Sequence, residues 1–297
     1  MDSSVSATPT PSPKLAALLD VIRPLGSVLV CYSGGIDSAL VAAATVRALG
    51  AERVVAMTAV GPSLADFEEE EARVVAAQIG VRHELVASNE IEDPGYVENG
   101  ADRCFYCKSE LYRLSAVKQV EWSLAHVANG TNLDDLGDHR PGLEAARRAG
   151  VRSPLVEAQL TKADVRQVAA ELGVTAWNKP AAACLSSRIP YGTKVTRERL
   201  GQIEHLEGAL KRLGLAQVRV RWHSLGGTDG STRGVKDGSM ARVEVARDEL
   251  AAAFDQRDAI VQAGKAAGFA FVTLDLAGYR TGSANELLDG RSLRVLS

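Results

Sequence analysis

"VLVCYSGGIDSAL" (28–40) joins an apolar, β-branched run to a small-residue helical run through Ser33-Gly34-Gly35-Ile36-Asp37-Ser38. Glycines at such a joint let backbone N–H groups close on an oxyanion, and the start of the helix adds a favourable dipole. Ser33 and Ser38 add hydroxyl donors. Asp37 would repel a bare phosphate, so its natural task is to hold Mg²⁺ on that phosphate. The Gly-Lys-Ser/Thr ending of the Walker pattern is missing. A loop that grips pyrophosphate without that lysine suits cleavage between the α and β phosphates. The plain alternative is a Gly-rich turn from strand to helix.

Outward from this loop, β-rich and helical runs alternate between about Ser27 and Leu185. Strands are expected over 27–33, 53–60, 82–88 and 125–131, with helices over 38–50 and 63–80. In the second helix Leu64, Phe67, Val74, Val75 and Ile79 fall near helical spacing, opposite the acidic run. Two further helices are expected in "GLEAARRAG" (142–150) and "TKADVRQVAAELG" (161–173), the latter with Thr161 as N-cap and Asp164 near its positive end. Strands alternating with helices predict an α/β fold, a parallel sheet with helices on both faces.

A boundary follows "CLSSRIPYGTKV". Beyond it a helix (196–213), two strands (216–222 and 240–246), a helix (247–267) and a strand (269–276) predict a smaller α/β unit. The expected domains are a leader over 1–13, a nucleotide-binding domain over 14–194 and a small domain over 195–297. "SLGGTDGSTRGVKDGS" (224–239) reads as a flexible hairpin insertion.

A net charge of -3 gives no reason to expect nucleic acid. No apolar run is long enough for a membrane span. The Ser/Thr/Pro-rich start, "MDSSVSATPTPSPK", lacks the pattern of a secretory signal and reads as a disordered leader. Four cysteines in 297 residues are no disulfide framework, so a cytoplasmic location is expected.

Cys104 and Cys107 stand C-x-x-C in "RCFYCKSELY" (103–112), and Cys184 lies in "NKPAAACLSSRIPYGTKVT" (178–196). A C-x-x-C pair alone leaves zinc, a redox dithiol and an iron–sulfur centre open. A dithiol would leave Cys184 unexplained. Zinc would want a fourth ligand, and His139 or Cys31 sits poorly for it. Cys31 lies within the first strand and reads as a buried small apolar residue.

In "NGTNLDD" (129–135) Gly130 allows close backbone approach, and Asp135 is a second metal or ribose contact; the alternative is a solvated turn. On the helix from Thr196, Glu207 falls within the apolar arc of Leu200, Ile203, Leu206, Leu210 and Leu213. It is either a carboxylate that needs a partner or a metal, or a snorkelling edge residue. "VRVRW" (218–222) puts Arg219 and Arg221 on one strand face, as a phosphate clamp or as a solvated face. Arg280 could equally bind substrate or tie down the C-terminal segment. Trp177 and Tyr191 read as packing, and the histidines lack metal-ligand spacing.

The SGGIDS loop resembles that of the PP-loop ATP pyrophosphatases. With "RCFYCKSELY", "NLDDLGDHRPGLEAAR", "RSPLVEA", "NKPAAACLSSRIPYGT", "VRVRW" and "LDLAGYRTGSANE", nearly the whole chain after the leader resembles the LarE family. The resemblance implies an ATP-dependent sulfur transferase. It would adenylate a carboxylate of pyridinium-3,5-biscarboxylic acid mononucleotide, release pyrophosphate and install sulfur. The product would feed the nickel-pincer cofactor of lactate racemase. ATP, Mg²⁺ and a [4Fe-4S] cluster on Cys104, Cys107 and Cys184 are the implied cofactors, because the three-cysteine pattern matches the cluster-bearing form. In the sacrificial form a loop cysteine gives up its own sulfur; that cysteine would correspond to Ala183, one place before Cys184. Cys184 as sulfur donor, sacrificial or persulfide, remains the alternative. ATP would meet Ser33, Gly34, Gly35, Asp37, Ser38, Gly130 and Asp135, with Asp37 and Cys184 catalytic. Substrate would meet Arg188, Glu207, Arg219 and Arg221. A homo-oligomer, as large as a hexamer in some members, is implied. An amide-forming synthetase of NAD synthetase type and a non-enzymatic nucleotide or iron–sulfur sensor are the competing readings.

Overall fold

The computed structural model describes residues 11–137, 141–175, 183–226 and 238–280. They fall into two compact units. The first comprises Met1–Ala59, Glu69–Val86 and Leu111–Ala181; the second comprises Val60–Glu68, Ala87–Glu110 and Ala182–Ser297. The sequence places the break at 194/195. The structure interleaves the units instead, because Ala65, Tyr96, Leu185, Ile189 and Val195 bury their side chains in the same core as Val218, Val220 and Val243.

The first unit is built on a sheet of order β3-β2-β1-β4, from β1 (Val28–Cys31), β2 (Val54–Val60), β3 (Arg82–Ala87) and β4 (His126–Ala128). β1 pairs parallel with β2, Val28 opposite Val54, and parallel with β4, Val28 opposite His126. All four β1 residues are buried, as a central parallel strand requires. Around it lie α1 (Pro13–Ile22), α2 (Ile36–Leu49), α3 (Asp66–Ile79), α6 (Pro141–Arg148), α7 (Pro154–Glu157) and α8 (Lys162–Glu171). Leu15, Leu18, Leu40, Leu155 and Val165 fill one core with β1 and β2. The expected α/β parallel sheet is present.

Helix ends follow their capping chemistry. Thr161 and Asp164 form a full capping box at α8. Residues 1–10 of the expected leader lie outside the described residues. Ser12 caps α1, accepting from Leu15 N at 3.2 Å, and Pro13 takes the first helical position. In α3 the buried residues are Ala72, Val75 and Ala76; Val74, expected inside, is 47% exposed.

The second unit holds α4 (Pro94–Val97), the start of α5 (Arg103–Glu121) and α9 (Arg197–Arg212). It also holds α10 (Leu250–Asp255), α11 (Arg257–Ala266) and a sheet of order β5-β6-β7. β5 (Val218–Ser224) and β6 (Ser239–Val245) pair antiparallel with Ser224 opposite Ser239; β7 (Phe271–Leu274) runs parallel to β6. Residues 227–237 of the insertion lie outside the described ones. The single helix expected over 247–267 is two helices, because Gln256 leaves helical geometry at φ -94°, ψ 12°.

Candidate active site

The phosphate loop runs from the end of β1 into α2. Gly34 has φ +70°, and a Cβ there would lie 2.8 Å from the Ala72 Cβ, so glycine is required. Gly35 is the N-cap of α2 and leaves the first N–H groups without a side-chain cap. Ser38 Oγ accepts from Ser33 N at 3.1 Å, donates to the Gly35 carbonyl at 3.0 Å and lies 3.2 Å from Ser33 Oγ. Ser38 is thus tied inward to shape the loop, while Ser33 is exposed. Gly130 lies against this loop, since a Cβ on it would fall 2.7 Å from Ser38 N.

Asp37 sits in the first turn of α2. One oxygen accepts from Asn132 Nδ2 at 3.1 Å and the other pairs with Lys162 Nζ. Lys162 N donates to Asp134 Oδ2 at 2.8 Å. Asp135 turns back on its own loop instead, accepting from Asn132 N at 3.1 Å. Lys162 and Asn132 were not singled out in the sequence. A lysine thus meets the phosphate loop after all, from α8 rather than from the loop itself. For Lys162 the signal is the capping string that fixes where α8 starts, and Asn132 lies within NGTNLDD.

The three candidate cysteines all lie in the second unit. Cys104 and Cys107 occupy the first turns of α5, and Cys184 precedes a 3₁₀ turn over Leu185–Arg188. Cys104 and Cys184 are exposed, Cys107 half-buried. Burial, with the neighbouring Cys184 thiolate next, pushes the Cys107 thiol up to about 12. Backbone bonds tie the stretch after Cys184 to the residues just before α5: Gly192 N donates to the Asn99 carbonyl at 3.1 Å and Val195 N to the Val97 carbonyl at 2.9 Å, while Leu185 N donates to the Ser63 carbonyl at 2.9 Å. Tyr96 and Ser186 join through their hydroxyls. Among the described residues no three His, Cys, Asp or Glu side chains converge closely enough to chelate an ion. Cys31 is buried in the first unit, 3.3 Å from Ser115 Oγ. His139 and Trp177 lie outside the described residues.

The structure corrects the edge and solvated-face alternatives for the charged residues. Glu207 is fully buried and bidentate with Arg188, Oε1 to Nε at 2.9 Å and Oε2 to Nη2 at 3.1 Å; its Oε1 also accepts from Val220 N at 2.8 Å. Arg188 Nη1 donates to the carbonyls of Ala183 at 2.5 Å and Cys184 at 2.9 Å, so this pair shapes the cysteine loop. Arg219 and Arg221 are buried, not solvated. Arg221 bonds Glu244 Oε2 at 3.0 Å and the Ser187 carbonyl at 3.1 Å. Burial, then the nearby Arg188 charge, pulls Arg219 below the usual guanidinium range. Its guanidinium lies 5.4 Å from the centre of the Tyr279 ring. Arg280 lies 3.9 Å from Asp275, in keeping with a tie on the C-terminal segment.

A family model described as NAD synthase matches residues 22–95, the stretch that contains the phosphate loop. The chain is 35% identical to the pyridinium-3,5-bisthiocarboxylic acid mononucleotide synthase of Lactiplantibacillus plantarum over 96% of this chain and 98% of that one. The chain belongs to the LarE family. An uncharacterized protein of Synechocystis is 41% identical over 93% of this chain and 98% of its own. Similarity to the NH(3)-dependent NAD(+) synthetase of Chlorobaculum tepidum, 37% identical, covers only 23% of this chain and 24% of that one. LarE proteins of the PP-loop kind are enzymes that use ATP and Mg²⁺. Among the described residues no helix is long and apolar enough to cross a membrane.

Proposed function

We propose that the chain is an ATP-dependent sulfur transferase acting on pyridinium-3,5-biscarboxylic acid mononucleotide, with a role in nickel-pincer cofactor assembly in the cytoplasm. The observation that carries this reading is the end-to-end similarity to the L. plantarum synthase, 35% identical over 96% of this chain. A substrate carboxylate oxygen attacks the α phosphorus of ATP, and the P–O bond to pyrophosphate breaks with its electron pair. A sulfur nucleophile then attacks the acyl carbon, and AMP leaves. The N–H groups at the start of α2 hold the leaving phosphates, and Asp37 would hold Mg²⁺, which would supply charge neutralisation there. Arg219 and Arg221 bind the nucleotide phosphate of the substrate. Arg188 and Glu207 act from behind, by shaping the loop of Cys184.

Cys104, Cys107 and Cys184 are the ligands of a [4Fe-4S] cluster in this reading. Three thiols on two tied segments suit iron by softness and leave one iron position open. The cluster, when bound, supplies the transferable sulfur. The exposed Cys184 thiol also fits the alternative of a cysteine that donates its own sulfur.

The test is anaerobic purification, assay of iron and acid-labile sulfide, and turnover with ATP, Mg²⁺, sulfide and substrate. Substrate-dependent pyrophosphate release, a thiocarboxylate product and several turnovers per chain are expected. Cys104→Ala, Cys107→Ala and Cys184→Ala should each lose the iron, while Cys31→Ala keeps it. Dehydroalanine at position 184 with no iron would replace the cluster by the sacrificial route. Amide formation without need of the three cysteines would overturn sulfur transfer altogether.

A further inference from the structure

Arg103 opens α5, directly before Cys104. Its side chain turns inward; the residue is 5% exposed. Nη1 donates to Asn99 Oδ1 at 2.5 Å and to the carbonyl of Ser186 at 2.9 Å. Ser186 lies two places after Cys184. Asn99 is fully buried and itself donates to the carbonyls of Pro190 at 2.8 Å and Thr193 at 2.9 Å. One guanidinium therefore grips both segments that carry the candidate cysteines. Its guanidinium carbon lies 5.7 Å from the centre of the Tyr191 ring.

We propose that Arg103 is a positioning residue: it holds the Cys104–Cys107 pair in register with Cys184 and brings a fixed positive charge to the place where their thiolates gather. Gathering thiolates costs like-charge repulsion, which an adjacent cation offsets. A planar guanidinium satisfies two fixed acceptors from one rigid group, which a lysine ammonium on a shorter stem does less well. The proposal rests on the reading of the three cysteines as one sulfur site.

The test uses full-length protein freed of iron. A short bifunctional thiol alkylator, dibromobimane, traps Cys107 with Cys184, and peptide mass mapping reports the yield. Iron per chain after anaerobic reconstitution and the affinity for Mg²⁺-ATP are measured in parallel. Arg103→Gln and Arg103→Met should lose at least tenfold in cross-linking, Arg103→Lys should recover part of it, and ATP affinity should stay within twofold. A merely structural defect would not be rescued in this order. If one neutral variant fails to fold, the other decides. Wild-type cross-linking in a folded neutral variant overturns the proposal, as does absence of the cross-link in the wild type. Loss of cross-linking in the variants, with no iron bound by the wild type, upholds Arg103 while overturning the cluster.

Discussion

Arg188 and Glu207 form a doubly hydrogen-bonded ion pair in the interior, 2% and 0% exposed. Removing one partner of such a pair strands a charge and costs roughly 3–5 kcal/mol, whereas replacing both by apolar residues is often neutral. Glu207→Ala is therefore expected to lose about 3–5 kcal/mol of unfolding free energy in urea. Arg188→Met combined with Glu207→Leu should recover part of that. The shortfall measures the Arg188 bonds to the carbonyls of Ala183 and Cys184 together with the Val220 N bond to Glu207. A loss below about 0.5 kcal/mol in Glu207→Ala, the range of ordinary surface changes, would show that the pair does not hold this loop.

Lys162 pairs with Asp37. When Mg²⁺-ATP binds, Asp37 is expected to turn to the metal and the Lys162 ammonium to a phosphate oxygen. A charged hydrogen bond is worth roughly 1.5–3 kcal/mol. Lys162→Ala should then lower kcat/KM for pyrophosphate release by about ten- to a hundredfold. Asp37→Ala should abolish release, since no other side chain of the loop carries a carboxylate. Wild-type kinetics in Lys162→Ala would confine the lysine to tethering Asp37.

The phosphate loop was legible because its chemistry is local: strand, glycines, aspartate and helix start are contiguous from Val28 to Leu40. The four strands were legible for the same reason, to within a few residues. Lys162 was not, because its approach to Asp37 depends on how α8 docks. Helix α5 was also missed. Its sequence, RCFYCKSELYRLSAVKQVE, mixes polar and apolar residues on every face and shows no stripe at helical period. Glu207 stood out as a carboxylate in an apolar arc, yet its partner Arg188 lies in a loop with no periodicity to place it. The interleaved units escape a linear reading, since segments such as 87–110 are assigned by the core they enter and not by their neighbours in the chain.

Glu204 supplies a pH test. Its Oε1 accepts from Asp66 N at 3.1 Å, while Oε2 is buried with no hydrogen-bond partner. Burial pushes its carboxyl up to about 7; the hydrogen bond from Asp66 N opposes this, the Asp66 and Glu207 charges add repulsion, and Arg188 lowers it. A carboxyl raised above its usual value of 4.5 binds its proton more tightly in the folded chain. Its contribution to stability is therefore full below 4.5 and is lost as pH rises through about 7. Glu204→Gln, a permanently neutral mimic, should gain stability relative to wild type at pH 8 and none at pH 4. An equal effect at both values, followed by urea unfolding, would contradict the raised carboxyl.

Gly130 offers the sharpest test of how the two loops of the first unit share the phosphate site. A Cβ at Gly130 would fall 2.7 Å from Ser38 N, 2.9 Å from the Asp37 carbonyl carbon and 3.0 Å from Ser38 Cα. All three are backbone atoms of the first turn of α2, so the conflict cannot be relieved by swinging a side chain aside. Ser38 N is among the N–H groups at the helix start that an anion would meet. Gly130→Ala must push apart the loop after β4 and the start of α2, moving Asp37 with it. Misplacing a positioning group by as little as about 1 Å can cost on the order of a hundredfold in rate. Pyrophosphate release in Gly130→Ala is accordingly expected to fall by about ten- to a hundredfold. Gly201→Ala is the control. That glycine lies within α9 with nothing near its missing Cβ, so alanine there should leave activity intact and stabilise the fold by about 0.4–1 kcal/mol. Full activity in Gly130→Ala would mean that the loop after β4 takes no part in shaping the phosphate site.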